Sequence, residues 1–162
     1  TPFESMWASS FNNKAFSFIK DRASAATRQL AEERGECPDM KGSGKRNAHL
    51  LAVAPNASSS IICDGTSPSI EPNRANVYTH KTLTGSFKVR NKYLDDLLVE
   101  LVPNNKKRNE VWKDIAAHEG SVQHLDILTD EMKEVFKTAP ELNQIWIIEH
   151  ACMRQKYVWN LR

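Results

Sequence analysis

The sequence predicts an α/β fold that is rich in helix and has few, short strands. Apolar residues recur at helical spacing over several stretches, which indicates amphipathic helices. One continuous aliphatic run is typical of a strand buried on both faces, as in the parallel sheets of α/β proteins. Two short segments rich in β-branched and aromatic residues favour further strands. A length of 162 residues is enough for one domain with its own core.

The first predicted helix is long and extends from Glu4 or Asn13 to Arg34. Gly35, followed by Cys-Pro, ends it, because glycine favours the position after a helix and proline cannot continue one. Residues 40–47 (MKGSGKRN) then predict a linker turn. The residues whose helical spacing predicts its apolar face are Phe11, Ala15, Phe18 and Arg22, beside Phe16, Ile19, Ala23, Ala26 and Leu30.

Residues 50–54 (LLAVA) form the continuous aliphatic run and predict a buried strand, which Pro55 ends because proline cannot donate to a sheet. A helix is predicted to begin near Ser58 or Ser59. Its free amides and positive dipole end would face the mouth of the sheet, so a phosphate could bind there without a lysine. Alternatively, the serines only cap the helix. The predicted anion site consists of Asn56, Ala57, Ser58, Ser59 and Ser60.

The segment after this short helix, which cannot extend past Pro68, is predicted to return from the site as a loop. Thr66, Ser67 and the Glu71-Pro72 pair are expected to shape that loop. Arg74 is a further candidate for phosphate binding, because a guanidinium can hold a phosphate with two parallel hydrogen bonds.

The rest of the chain is predicted to be mostly helical. Residues 76–82 and 86–89 are the two short strands, and Asn91 begins a helix that Pro103 ends. Residues 110–118 predict a further helix. Thr129 is a good N-cap for another one, with Met132, Val135, Phe136 and Ala139 on its apolar side. Pro140 is placed in the first turn of a last helix, whose apolar side is Leu142, Ile145, Trp146 and Ile148.

Charge and hydropathy exclude several classes of protein. Lys and Arg number 22 against 20 Asp and Glu, a net charge of +2, and the two signs are interspersed. This pattern does not favour nucleic-acid binding, and the basic stretches 41–46 and 106–108 are predicted to be solvated loops. No apolar stretch reaches the ~20 residues that cross a bilayer, and residues 1–7 show no signal pattern. A cytoplasmic protein without a membrane partner is expected.

Motifs of other enzyme classes are incomplete. Residues 42–45 (GSGK) lack the spacing of a nucleotide P-loop, and Arg46 replaces its final Ser or Thr. His118 and His124 are six residues apart, whereas zinc proteases need two histidines four apart on one helix, so surface or helix-end histidines are predicted. No glycine flanks serines 58–60, as a hydrolase nucleophile would require. No catalytic residue and no metal ligand is therefore predicted.

The three cysteines, an odd number without a CxxC pair, predict neither a disulfide framework nor a zinc site. They are Cys37, Cys63 and Cys152. Reduced and mostly buried thiols are expected. Although Cys63 lies close to the predicted phosphate site, it is assigned no chemistry.

A family resemblance runs through these motifs. Residues 45–87, KRNAHLLAVAPNASSSIICDGTSPSIEPNRANVYTHKTLTGSF, closely resemble the large, catalytic subunit of class I ribonucleotide reductases. The similarity continues more weakly upstream through LAEERGECPD and downstream through EGSVQHLD and DEMKEVFKTAPELNQIWIIEHA. It implies that residues 1–162 are one partial domain, the C-terminal part of the family's ten-stranded α/β barrel. It also implies that the loop at 55–60 grips the diphosphate of a ribonucleotide substrate, with Asn56 to Ser59 at the matching positions and Ser60 adjacent.

Other parts of the family's machinery are absent from the sequence. The radical-forming cysteine pattern Asn-x-Cys-x-Glu, the adjacent tyrosine pair and the cysteine pair of the C-terminal tail do not occur. The chain is therefore expected to be an internal piece that binds no cofactor and does not turn over alone. The resemblance implies partners that complete it: the remainder of the large subunit, a small subunit with a metal and tyrosyl radical, ATP or deoxynucleotide effectors, and thioredoxin or glutaredoxin.

Two alternatives of other classes stay open. A freestanding phosphate- or nucleotide-binding module would show affinity for diphosphates by itself. A non-catalytic fragment that acts by assembling with a partner would expose apolar strand edges and be poorly soluble alone.

Overall fold

A computed structural model describes residues 1–54, 56–63, 65–83 and 85–158. The predicted helix-rich α/β fold with few strands is confirmed. Two compact units are present, a first unit of residues 1–4 and 56–144 and a second unit of residues 5–54 and 145–158. The helices are α1 (Met6–Arg34), α2 (Ala57–Ile62), α3 (Lys92–Leu101), α4 (Asn105–Ala117), α5 (Asp130–Val135) and α6 (Gln144–Val158). The strands are β1 (Val77–Thr82) and β2 (Gly85–Arg90). Two short 3₁₀ helices span Pro38–Met40 and Ala139–Glu141.

The core of the first unit lies between β1, α3, α4 and the loop that follows α4. Leu94 and Leu98 come from one face of α3, and Trp112 and Ile115 come from one face of α4, as expected for residues three or four apart on a helix. The indole Nε1 of Trp112 donates to Asp95 Oδ1 at 2.9 Å, so burial leaves this polar atom satisfied. The other core residues are Val77, Val122, Leu125 and Leu128.

Strands β1 and β2 form an antiparallel pair, in which Val77 lies opposite Arg90 and Thr82 opposite Gly85. Both short strands were predicted from their β-branched and aromatic residues, and both predictions are confirmed.

Asn76, directly before β1, connects three distant segments of the first unit. Its Nδ2 donates to the carbonyls of Gly120 at 3.1 Å and Phe136 at 2.9 Å. Its Oδ1 accepts from Asn91 Nδ2 at 2.8 Å. Because Asn76 is buried, these bonds fix the start of β1 against the end of α4 and the end of α5.

The predicted starts of α3 and α5 are confirmed, because Asn91 and Thr129 accept hydrogen bonds from backbone amides as N-caps. The predicted start of the next helix was too late. Asn104 caps α4, so residues 106–108 lie in its first turn and not in a solvated loop. Lysine and arginine are good helix formers, and charge density alone does not identify a loop.

The two predicted helices around Pro140 are shorter or displaced. Helix α5 ends at Val135, and Thr138 and Glu141 form a capping box for a separate 3₁₀ helix that contains Pro140. Helix α6 begins only at Gln144. The predicted apolar side of that helix is wrong for two of its residues, because Ile145 and Ile148 are exposed.

In the second unit, α1 is the predicted long helix, and Gly35 ends it as expected. Its predicted apolar face is wrong, since Phe11 and Phe18 are exposed while the buried residues include Asn12 and Thr27.

Polar contacts join α1 to α6. Asn12 Nδ2 donates to the carbonyl of His150 at 3.1 Å, Arg154 Nε donates to Asn12 Oδ1 at 2.6 Å, and Tyr157 donates to Asn13 Oδ1 at 2.7 Å.

The predicted strand at residues 50–54 is wrong. This segment has no regular secondary structure, and Val53 is 79% exposed. A strand needs a neighbouring strand for its hydrogen bonds, and the described residues supply none to this segment. Pro55, predicted to end the strand, lies outside the described residues.

Candidate functional site

The predicted anion site lies at the start of α2. Asn56 is the N-cap residue, and its side chain makes no capping hydrogen bond. The first backbone bond of the turn runs from the amide of Ser60 to the carbonyl of Asn56 at 2.8 Å. Within the described part of the chain, the amides of Ala57, Ser58 and Ser59 have no hydrogen-bond acceptor. Three donors at the positive end of a helix are therefore available to an anion.

The three adjacent serines have different environments. Ser58 and Ser59 are exposed, as are Asn56 and Ala57. Ser60 is buried, and its hydroxyl donates to the carbonyl of Ala57 at 2.8 Å. The hydroxyls of Ser58 and Ser59 can thus contact a ligand, whereas the hydroxyl of Ser60 is engaged within the helix.

Backbone amides donate hydrogen bonds to carbonyls near the C-terminal end of α2. The amide of Cys63 donates to the carbonyl of Ser59 at 2.9 Å, and the amide of Gly65 donates to the carbonyl of Ser60 at 3.0 Å.

Cys63 is exposed at this end, as is Cys152 on α6, while Cys37 is half-buried. The prediction of mostly buried thiols is therefore wrong. Cys37 and Cys63 lie at helix caps, and Cys152 lies on an exposed face of α6.

The loop that returns from α2 is shaped by its own polar groups, as predicted. The hydroxyl of Ser67 donates to the carbonyl of Glu71 at 2.5 Å and accepts from the amide of Ser69 at 3.2 Å. Arg74, the further candidate for phosphate binding, is exposed and makes no hydrogen bond or ion pair to any described residue.

A cleft of 540 Å³ lies beside α2 in the first unit. Ile61 of α2 lines it, but Arg74 and residues 56–60 do not. This cleft was not predicted, because its walls come from segments that Asn76 joins across the sequence. Its polar and charged lining residues are Thr66, Ser67, Asn73, Asn76, Tyr78, Arg90, Asn91, Lys92, Tyr93 and Lys137.

Lys137 forms ion pairs with two carboxylates of the first unit. Lys137 Nζ lies 2.8 Å from both Glu4 Oε2 and Glu134 Oε2. Burial acts to raise the pKa of Glu4, but the hydrogen bonds from Lys137 and from the amide of Asn143, with the charge of Lys137, lower it overall. Hydrogen bonds to Glu134 and Glu4 raise the pKa of Lys137 despite its burial.

Comparisons with known proteins show the family of this chain. The sequence profile of the family described as ribonucleotide reductase, barrel domain, matches residues 38–160.

The chain belongs to this family.

Relatives of this reductase family cover nearly the whole chain. A ribonucleoside-diphosphate reductase large subunit of Invertebrate iridescent virus 3 is 48% identical over 155 residues, which is 96% of the chain and 25% of the relative. A putative large subunit of Frog virus 3 is 46% identical over 97% of the chain and 27% of the relative. In the solved structure of the Actinobacillus ureae class Id ribonucleotide reductase alpha subunit, the matched region has a TM-score of 0.83 and 40% identity.

The chain spans about a quarter of the length of these relatives. In the solved alpha subunit it covers 28% of that chain. The predicted resemblance to the large subunit and its barrel is confirmed. The assignment of residues 56–60 and Arg74 to substrate binding stays a prediction.

A second polar cluster lies at the end of α4, inside the matched region. Asp114 Oδ1 lies 3.2 Å from His118 Nδ1, and Asp114 Oδ2 lies 3.0 Å from His124 Nε2. The two imidazole rings stack with centroids 3.7 Å apart. His118 is the C-cap residue of α4, which confirms the predicted helix-end position. Sequence spacing did not reveal the cluster, because a tight turn after α4 brings His124 back to Asp114.

None of the helices formed by the described residues combines the length and the apolar character that a membrane span requires.

Proposed function

We propose that this chain is part of a ribonucleoside-diphosphate reductase large subunit and holds the diphosphate of a ribonucleotide substrate at the start of α2. Membership of the barrel-domain family over residues 38–160 carries the proposal. The amides of Ala57, Ser58 and Ser59 support it, because these residues are exposed and their amides have no acceptor among the described residues, which suits them to a phosphate.

Each predicted site residue has a role in this proposal. Asn56 turns the chain into the helix, and the amides of Ala57, Ser58 and Ser59 point towards the phosphate. The hydroxyls of Ser58 and Ser59 add further donors. The buried hydroxyl of Ser60, bonded to the carbonyl of Ala57, holds the loop in this shape. Arg74, which is exposed and has no partner in the described part of the chain, is a further group that could hold the phosphate.

The proposed contribution to catalysis is positioning. Fixing the diphosphate holds the ribose in one orientation, which removes part of the entropic cost of bringing reacting groups together. In the complete enzyme the substrate is reduced at its 2′ carbon with a radical supplied by a separate small subunit. The reducing equivalents come from thioredoxin or glutaredoxin, and ATP or deoxynucleotides act as effectors. Since the sequence lacks the family's radical cysteine pattern, the chain alone is not expected to turn over.

The remainder of the large subunit is the proposed main partner. Large apolar side chains are exposed at Val53, Ile62 and Leu83, where further barrel elements could cover them. Residues 50–54, which have no strand partner in the described residues, would become a strand once the neighbouring strands are present. We propose a cytoplasmic location, because the three cysteines of this chain are free thiols.

A reconstitution assay tests the proposal. The chain is mixed with the remaining segments of a large subunit and with the small subunit, and ribonucleoside-diphosphate reduction is measured. Replacing Ser58 and Ser59 together by Phe should raise KM for the substrate at least about tenfold, because bulky side chains would cover the amides. Ser59→Ala removes only a hydroxyl and should cost about 1 kcal/mol, or roughly fivefold in KM.

Ser43→Phe, in an exposed turn of the second unit, is the matched control and should leave KM unchanged. An unchanged KM in the Ser58 and Ser59 double variant would place the diphosphate elsewhere. Diphosphate binding by the isolated chain, without activity in the mixture, would favour a freestanding binding module.

A further inference from the structure

We propose that Asp114, His118 and His124 form a binding site for a divalent transition-metal ion such as Zn²⁺, separate from the proposed diphosphate site. Imidazole nitrogens and carboxylate oxygens are the ligand types that Zn²⁺ accepts besides thiolate. One ligand atom from each residue lies within 4.8 Å of the other two.

The three ligand atoms lie close enough together for a single ion to gather them with a small shift of the side chains. A tetrahedral Zn²⁺ with bonds of ~2.0–2.1 Å holds its ligand atoms about 3.3 Å apart. His118 Nδ1 lies 3.2 Å from Asp114 Oδ1, and His124 Nε2 lies 3.0 Å from Asp114 Oδ2. Each imidazole thus already lies at about this distance from one of the two carboxylate oxygens. His118 Nδ1 is hydrogen-bonded to the backbone carbonyl of Asp114 at 2.9 Å, and His124 Nε2 is hydrogen-bonded to Asp114 Oδ2 at 3.0 Å. A bound ion would take the place of both hydrogen bonds.

The backbone fixes the three residues in place. Asp114 and His118 are one turn apart on α4, so their side chains lie on the same face. Glu119 and Gly120 then adopt positive φ angles of 56° and 85°, which reverse the chain. Val122 and Leu125 are buried on either side of His124 and hold its backbone against the core. Such rigid support lowers the cost of ordering the ligands on binding.

Accessibility allows an ion to enter. The side chains of Asp114 and His118 are 48% and 51% exposed, and that of His124 is 26% exposed. Three protein ligands leave the fourth tetrahedral position open to water. His124 Nδ1 is buried and has no hydrogen-bond partner in the described part of the molecule. Because this nitrogen has no outer acceptor, affinity is expected to be about 10–100-fold weaker than in a site whose ligands have one.

The bound ion would join the end of α4 to the loop at residues 121–128, which contributes three residues to the core of the first unit. An ion that binds only the folded state stabilises that state. Metal binding at this site would thus stabilise the folded first unit.

Titration of the tag-free chain with Zn²⁺ and with Co²⁺ tests the site. Calorimetry should show one ion per chain, and Co²⁺ should show the visible absorption of tetrahedral coordination. Asp114→Asn, His118→Gln and His124→Gln should each weaken binding at least about tenfold, since changes even outside the ligand set cost about 10–100-fold.

Three controls separate this site from other possible ligands. His49→Gln alters an exposed histidine of the second unit and should bind like wild type. Replacing Cys37, Cys63 and Cys152 by serine should also leave binding unchanged. The Ser58 and Ser59 double variant should keep the metal, so that a failed diphosphate site and a failed metal site are distinguishable.

Thermal unfolding of each variant with and without Zn²⁺ gives a second readout. The change in Tm on adding Zn²⁺ is measured within each variant, so the variants need not be equally stable. Wild type should melt higher with Zn²⁺, and His124→Gln should show no such rise. Undiminished binding in the three cluster variants would overturn the proposal, as would binding that requires His49 or the cysteines. Failure of the wild-type chain to bind either ion would also overturn it.

Discussion

Gly120 occupies the point where the end of α4 meets the segment before β1. A Cβ at this position would lie 2.5 Å from the Cβ of Ala75 and 3.0 Å from the amide nitrogen of Asn76. Its φ of +85° is also in the region that favours glycine. Its carbonyl accepts both the backbone amide and the side-chain Nδ2 of Asn76, each at 3.1 Å. Glycine is therefore required here both by conformation and by space.

Gly120→Ala should destabilise the protein more than Gly65→Ala does. Gly65, also in the first unit, has a similar φ of +73° but open space around the position of a Cβ. Gly65→Ala should cost about 1–2 kcal/mol from backbone strain alone. The steric overlap in Gly120→Ala should add about 1–3 kcal/mol. Urea denaturation of the two variants measures the difference, and equal losses would mean that the contact with Ala75 relaxes freely.

At the level of the elements, asparagine N-caps begin two consecutive helices in different surroundings. Asn104 accepts from the amides of Lys106 and Lys107 and is exposed. Asn91 caps α3 and also donates to the buried Oδ1 of Asn76. The first asparagine thus stabilises one helix, whereas the second also satisfies a buried side chain.

Asn91→Ala should therefore be more destabilising than Asn104→Ala. Loss of a cap costs ~1 kcal/mol in either variant. Asn91→Ala also leaves Asn76 Oδ1 without its donor, which should cost about 1–3 kcal/mol more. Asn91→Asp separates the two effects, because it keeps the capping acceptor but cannot donate to Asn76. Free energies of unfolding that rank Asn104→Ala as the worst would contradict this account.

Local signals predicted the elements that depend on local interactions. Asn91 and Thr129 were recognised as helix starts because capping involves residues two or three apart in sequence. The strand expected at residues 50–54 failed, because an apolar run becomes a strand only when partner strands pair with it. The apolar face expected on α1 failed for a similar reason, since apolar spacing does not specify which neighbour covers a helix.

The candidate site, too, was predictable only where it depends on local sequence. The exposed amides at the start of α2 were predictable, because a proline followed by small polar residues indicates a helix start at that position. The cleft beside α2 and the cluster of Asp114, His118 and His124 were not predictable. They depend on contacts that Asn76 makes across the sequence and on the turn at Gly120, which single-sequence patterns do not reveal.

For the whole molecule, the Glu4–Lys137 pair connects residues 1–4 with the rest of the first unit. Glu4 also accepts from the amide of Asn143 at 2.5 Å. Because the pKa of Glu4 is lowered in the folded state, its carboxylate stabilises that state at pH values above its unfolded pKa of about 4.3. This contribution is lost as the pH falls through the lower, folded pKa.

Glu4→Gln should therefore flatten the acid side of the stability profile. Between pH ~5 and ~3, the free energy of unfolding of wild type should fall more steeply than that of the variant. Glu131→Gln is the control, because Glu131 is exposed and its side chain forms no hydrogen bond or ion pair with the described residues. Urea denaturation at several pH values gives both profiles. Parallel profiles for Glu4→Gln and wild type would show that the pair contributes no pH dependence.

The exposed thiol of Cys63 makes the start of α2 accessible to spectroscopy. Its amide is bonded to the carbonyl of Ser59, so a fluorophore on this sulfur would be anchored one turn from the proposed phosphate contacts. With Cys37 and Cys152 replaced by serine, such a label would attach at a single position. Ligand occupancy could then be followed optically in the chain as it is, without introducing a new cysteine.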